Sequence, residues 1–201
     1  MDKSLNTHHI YTNLRNFEAA RNSFFVFQVA PKELTNLYHP NFDPDSGEPS
    51  STDIYDGDVA SEALRLNVVK ASVPNFSVGT ESFRRGNDVV KYATVPEFAD
   101  GSITVDDIVG VDTKSILYSW LYLAYNPHTR KGGRMRDYKK TCTLIEYTQD
   151  YEPIRTWTLE GCFITKIDED DFDRENDGKR QITVDFVFDR ATMDIPEEVT
   201  E

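Results

Sequence analysis

The chain has 201 residues, 22 of them basic and 35 acidic, for a formal net charge of −13. That balance disfavours tight binding to nucleic-acid phosphates, which rests on clustered cations releasing counterions, and it disfavours adhesion to an anionic membrane. It does not exclude a protein past which nucleic acid slides without sticking, because a like-charged wall repels a polyanion.

A single domain of this size buries about 70% of its unfolded surface and needs no staples, and two cysteines, Cys142 and Cys162, are too few for a disulfide framework. No run approaches the roughly 20 apolar residues of a membrane-spanning helix. The first residues lack the apolar stretch of a secretory signal, so folding in the cytoplasm is the expectation.

Residues 1–10 have no periodicity and read as a flexible arm; the adjacent His8 and His9 diverge on any regular backbone, so they make a poor metal pair. Ile10 to Asn22 is compatible with a short helix carrying Leu14 and Phe17, and Ser23 to Ala30 reads as the first strand. After Pro31 a long loop rich in Pro, Gly, Ser and Asp fills an insertion over residues 31–60. It is expected to dock on a neighbour. Leu64 to Ala71 reads as a strand ended by Val73-Pro74.

Phe76 to Phe83 and Asp88 to Val95 form a predicted hairpin around the basic tip Arg84-Arg85-Gly86-Asn87. A short strand follows from Ile103 to Ile108. The one clear helix starts at an Asp112 or Thr113 cap and stops at Asn126-Pro127. Ile116, Leu117, Trp120, Leu121 and Ala124 form one stripe of it, and Tyr118, Tyr122 and Tyr125 a second. A helix apolar or aromatic over more than half its circumference suits an element pinned between its own sheet and another subunit.

A basic loop comes next, with Arg130, Lys131, Arg134, Arg136, Lys139 and Lys140 around Gly132-Gly133. From Lys139 to Arg190 three segments alternate apolar and polar residues with the period of a strand. In the middle one, Trp157, Leu159, Gly161 and Phe163 are expected to face a core, leaving Thr156, Thr158, Glu160 and Cys162 on the free side. In the last, Ile182, Val184, Phe186 and Phe188 oppose Thr183, Asp185, Val187 and Asp189.

Between these two segments lies an acidic connection with Asp168, Asp170, Asp171 and Asp173. It resembles a calcium loop at Asp173, Glu175, Asp177 and Gly178, but Val184 stands where a bidentate Glu is needed and strands flank it instead of helices. Residues 193–201 read as a tail.

The pattern predicts one mainly β (α+β) domain over 1–201: two packed antiparallel sheets in a β-barrel-like sandwich, one flanking α-helix and long loops. Catalytic signatures are missing: there is no Gly-x-Ser-x-Gly, His-Glu-x-x-His or Cys-x-x-Cys. The chain is therefore expected to be no enzyme and to carry no cofactor. A basic loop on an acidic protein more often finds an acidic surface on another copy of itself; the other readings are a nucleic-acid contact, which the net charge disfavours, and an idle solvated loop. A rival reading is a β-sandwich that binds carbohydrate or calcium through loops bearing Tyr38, Tyr55, Trp120 and Tyr151.

The joint order of NSFFVFQV, YSWLYLAYN, RDYKKTCTLIEYTQD, WTLEGCFITKID and QITVDFVFDRATMD resembles the tail tube proteins of contractile-tailed bacteriophages. The resemblance implies hexameric rings stacked into a hollow tube that genomic DNA traverses without specific binding. It implies tail sheath protein around the tube, baseplate and tail terminator proteins at its ends, no membrane, and a place in the virion.

On that resemblance Arg130, Lys131, Arg134, Arg136, Asp168, Asp170, Asp171, Asp173, Tyr118 and Tyr122 become candidates for contacts between subunits or rings. Thr156, Thr158, Glu160, Thr183 and Asp185 become candidates for the lumen wall. A tube initiator or an Hcp-like secretion tube subunit shares the architecture.

Overall fold

The structure is a computed structural model that describes residues 21–40, 54–108, 112–172 and 178–195. The predicted N-terminal arm, residues 10–20 of the helix predicted over Ile10 to Asn22, residues 41–53 of the insertion, Asp173 and the tail beyond 195 lie outside the described residues.

Among the described residues, eleven strands and three α-helices follow in chain order. They are β1 (Phe25–Val29), α1 (Gly57–Asn67), β2 (Val68–Ala71), β3 (Phe76–Arg85), β4 (Asp88–Phe98), β5 (Gly101–Asp106), α2 (Thr113–Ala124), β6 (Tyr125–Asn126) and β7 (Lys131–Gly132). After them come α3 (Met135–Tyr138), β8 (Lys140–Tyr147), β9 (Pro153–Glu169), β10 (Gln181–Val187) and β11 (Arg190–Asp194).

The fold is mostly β and antiparallel, as the alternation predicts. Seven strands join in the order β1-β8-β9-β10-β5-β2, with β11 also pairing β9. The long β9 welds two half-sheets, because its first half pairs with β8 and β11 and its second half with β10. The margins β1 and β2 approach without a ladder between them, so the barrel stays open along that seam.

Neighbouring strands alternate in direction at every step. β1, β9 and β5 therefore end together, at what we term the upper end. There α1 leads into β2, α2 follows β5, α3 leads into β8, and the acidic connection joins β9 to β10. The β3–β4 hairpin leaves from the opposite, lower end, between the end of β2 and the start of β5.

The core gathers Phe27, Val29, Leu144, Leu159, Ile164, Ile103, Val105, Ile182, Val184 and Phe186 from the strands. Helices and turns add Leu34, Leu37, Ala60, Leu64, Ile116, Leu117 and Trp120. Helix α2 starts where predicted, with the Asp112 carboxylate accepting from Ser115 N at 3.2 Å.

Three expectations need correction. Leu64 to Asn67 is helical, and the strand begins only at Val68. The inward stripe of α1 is Gly57, Ala60, Ser61, Ala63, Leu64 and Asn67, small and partly polar, so hydrophobicity alone hides its helical period. Asp56 caps this helix by accepting from Asp58 N at 2.9 Å.

Cys162 belongs to the core face, fully buried, not to the free face. Gly161 takes a positive φ of 72°, which inserts a kink and shifts the two-residue period of β9 by one.

The described ends of the insertion pack on the chain's own core. Leu34 and Leu37 are fully buried, Tyr38 bridges Ile54, and Tyr55 N donates to Leu37 O at 2.9 Å. Deleting residues 41–57 would remove that bridge together with the α1 cap, so it tests folding as well as assembly.

Candidate assembly surfaces

The β3–β4 hairpin is the largest uncovered element of the described residues. Every residue of β3 is exposed, and in β4 only Thr94 and Phe98 are partly covered. Its register puts Phe83 opposite Val90 and Glu81 opposite Tyr92, so these four share a face. Phe83 and Tyr92 lie with ring centroids 6.0 Å apart, and the Tyr92 hydroxyl donates to Glu81.

Only the base is anchored, where Phe98 meets Phe76 at 5.7 Å and Phe188 at 5.9 Å. At the tip Gly86 takes φ 66°, as the turn demands, and Arg84 and Arg85 stand out in solvent. A two-stranded ribbon with apolar side chains exposed on both faces is marginal by itself in water.

The predicted contact residues lie at the upper end. Arg130, Lys131, Arg134 and Arg136 are exposed on a folded unit made of the short β6–β7 ladder and α3. Gly133 is tucked under Ala124, donating from N to O at 3.0 Å, and a Cβ there would collide with the Leu123 carbonyl. Lys139 is bound to Asp189 at 2.6 Å.

Lys140 is buried and donates to Glu33 O and to Asn36 Oδ1 at 2.8 Å. Burial lowers its pKa to about 8. The sequence reading counts Lys140 with the basic loop; the structure puts it in β8 instead, where Lys140, Cys142 and Leu144 alternate on the core face.

The acidic connection is anchored at its base by Glu169, a member of the acidic run that the sequence does not single out from its neighbours. Its carboxylate accepts from Lys114 Nζ at 2.7 Å, from the Tyr118 hydroxyl at 2.8 Å and from Arg180. Burial raises the Glu169 pKa, but the bonds from Lys114 and Tyr118 and the charges of Lys114 and Arg180 outweigh it and hold the carboxyl below its usual range. Burial, and then the bond to Glu169, push Tyr118 up to about 12.

Tyr118 is thus occupied within its own chain. Tyr122, half-buried, packs between Tyr118 and His128 and lines a pocket of about 420 Å³ with Asn36 and His39. Asp168 pairs with Lys166, Asp170 accepts from Gln181 N at 3.0 Å, and Asp171 is exposed. The basic loop and the acidic connection share one end of the subunit.

The candidate lumen residues fall into two rows. Thr158 sits between Thr143 and Thr192 across β8, β9 and β11, with Thr156 and Glu160 beside it on the same strand. Thr183 sits between Thr104 and Asp168, and Asp185 between Ser102 and Lys166, across β5, β10 and β9. Both rows are polar and hydroxyl-rich and stand on the side of the sheet away from the core.

An apolar stripe on α1 also escaped the sequence reading. Val59 and Leu66 are 61% and 67% exposed, with Glu62 between them on the same outward face. The signal was present at helical spacing, but it was masked by reading that stretch as loop and strand.

An open, antiparallel β-barrel with a long uncovered ribbon at one end and charged loops at the other is the architecture that the described residues define. The model of the T4-like virus tail tube protein gp19 family matches residues 59–191, and the chain belongs to that family. It is a tail tube protein.

Among solved structures the chain resembles one from the PVC sheath-tube complex of an extracellular contractile injection system in the extended state. The TM-score is 0.60 and the identity 13%, over 92% of this chain and 97% of that one. It is also similar to a chain of the anti-feeding prophage tube-terminating cap, at TM-score 0.60 and 12% identity over 89% and 93%. A chain of the PVC sheath/tube terminator gives 0.58 and 15% over 89% and 98%. No curated protein matches the chain.

Proposed function

We propose that the chain is a non-enzymatic tube subunit that forms hexameric rings and stacks them, through the β3–β4 hairpin, into a conduit for DNA. The observation that carries this is the hairpin itself. Phe83, Val90 and Tyr92 are 49%, 40% and 46% exposed on a ribbon with no cover beyond its base. Apolar side chains on a two-stranded ribbon call for a partner surface. A contact from one end of the molecule to the other end of the next is heterologous and grows an open filament.

The lumen is lined by one of the two polar rows, around Thr156, Thr158 and Glu160 or around Thr183 and Asp185. The net charge of −13 keeps a polyanion from adhering there. Sheath protein outside the tube, and baseplate and terminator proteins at its ends, are the partners that family membership and the neighbouring structures support. Synthesis in the host cytoplasm and a final place in the phage particle follow from the same reading. Arg130, Lys131, Arg134, Arg136, Asp168, Asp170 and Asp171 then act as charged rims of the upper end.

The test is negative-stain microscopy and sedimentation of the purified full chain, with Phe83→Asp plus Val90→Asp as the variant. The natural chain is expected to form tubes or stacked rings and the variant to remain small with an unchanged thermal melt. A natural chain that stays a lone particle under all conditions, or that binds duplex DNA firmly, overturns the proposal.

A further inference from the structure

We infer that the hairpin of one copy lies across α2 of the next, between its two charged loops, with Arg84 and Lys91 turned to the acidic connection and the Phe83 face turned to the β6–β7 and α3 unit. This rests on the tube-subunit reading and names the receiving surface, which that reading leaves open.

The ribbon has two unlike faces. Register sets Phe83 across from Val90, Glu81 from Tyr92 and Arg85 from Asp88, and residues two apart share a side. That face is apolar and carries two carboxylates against one guanidinium. The other face holds Arg84 across from Val89 and Lys91 across from Ser82, with no carboxylate between Thr80 and the tip. Arg84 and Lys91 are exposed and form no ion pair among the described residues.

The upper end carries the same opposition of charge. The acidic connection is moored near the start of α2, where Lys114 and Tyr118 hold Glu169, and the basic unit at its end, where Gly133 N donates to Ala124 O. Ten residues of helix, about 15 Å, separate Lys114 from Ala124. That exceeds the roughly 8–10 Å over which exposed charges are screened, so each loop acts on its own neighbour, and it admits a ribbon about 10 Å thick with its side chains.

On the acidic side Lys166 balances Asp168, and Lys114 and Arg180 balance Glu169, which leaves Asp170 and Asp171 in excess. On the basic side Arg130, Lys131, Arg134 and Arg136 outnumber Asp137. The start of α1 is a poorer target for Arg84 and Lys91, because Asp56 caps its own helix and Glu62 is held by Arg65 at 2.6 Å.

Apolar groups match on both sides as well. Met135 and Tyr125 are exposed on the basic unit, where Phe83, Val90 and Tyr92 arrive, and Phe172, 88% exposed, stands beside Asp171, where Val89 arrives. Tyr118 and Tyr122, with ring centroids 6.0 Å apart, form the floor between. The hairpin leaves the lower end and both loops stand at the upper end, so the contact joins unlike ends of two copies and propagates.

The experiment is charge reversal and rescue in the full chain, read by pelleting and microscopy. Arg84→Glu with Lys91→Glu is expected to raise the concentration needed for assembly by about tenfold or more, since like charges then oppose each other across the contact. Asp170→Lys with Asp171→Lys is expected to do the same, and the four substitutions together to restore assembly. On the other face, Glu81→Lys with Asp88→Lys is expected to weaken assembly and Arg134→Glu with Arg136→Glu to restore it. Circular dichroism melts should match the natural chain throughout.

If Asp56→Lys with Asp58→Lys rescues the Arg84 and Lys91 reversal and the acidic-connection reversal does not, the receiving surface is wrong and the tube reading stands. If reversal on neither face of the ribbon affects assembly, the docking contact falls altogether. If the natural chain never assembles, the tube reading fails first and this inference with it.

Discussion

Gly161→Ala tests the kink on which the two half-sheets depend. At φ 72° an alanine pays the left-handed penalty of roughly 1–2 kcal/mol. A Cβ at that position also collides with the Asp189 carboxylate, which must swing away from Lys139, now 2.8 and 2.6 Å from its two oxygens. Asp189 is largely exposed, so losing that ion pair adds only about 0–1 kcal/mol. The expected loss is about 2 kcal/mol, and in an Asp189→Ala background it should fall toward the backbone penalty alone.

Urea unfolding of the unassembled chain measures both, with midpoints lowered by about 1 M for slopes of about 1–3 kcal/mol per molar. Glycine-to-alanine at a compatible φ stabilises by about 0.4–1 kcal/mol. A neutral or stabilised Gly161→Ala variant would therefore refute the assigned kink and the shifted period of β9. An identical loss with and without Asp189 would refute the collision.

Two pH-dependent predictions follow from buried charges. Lys140 has a folded pKa of about 8 against an ordinary 10.5, so the native state holds fewer protons between those values and stability should climb with pH across that window, by up to about 3 kcal/mol. Urea titrations at stepped pH should show the climb in the natural chain and not in Lys140→Met. Glu169 is held below its usual range, so its contribution is present above the unfolded pKa and lost as pH falls through the folded value. Glu169→Gln should cost about 1.5–3 kcal/mol at pH 7, with the gap to the natural chain closing below about pH 4; a gap that persists in acid would contradict the role given to Lys114, Tyr118 and Arg180.

Much of this architecture was legible in the letters because the alternation of β10 and the 3.6-residue stripe of α2 are strong, local signals. Ile182, Val184 and Phe186 face the core as read, and Asp112 caps the helix as read. Helix α1 was lost because Ala60, Ser61, Ala63 and Asn67 make a buried stripe that hydrophobicity does not mark. Glu169 was lost in a run of acids, since nothing local separates the one carboxylate that three donors reach from its solvated neighbours.

Local order along the chain determined which residues could be strand, helix and turn, and the joint order of its segments pointed to a tail tube protein. Tertiary structure alone decided the rest. It placed the two charged loops at one end and the hairpin at the other, moved Cys162 into the core through a single backbone torsion, and left α1 presenting Val59 and Leu66 outward. Those outcomes depend on strand direction, register and packing between residues far apart in the chain, and no short stretch of sequence encodes where its distant partners will stand.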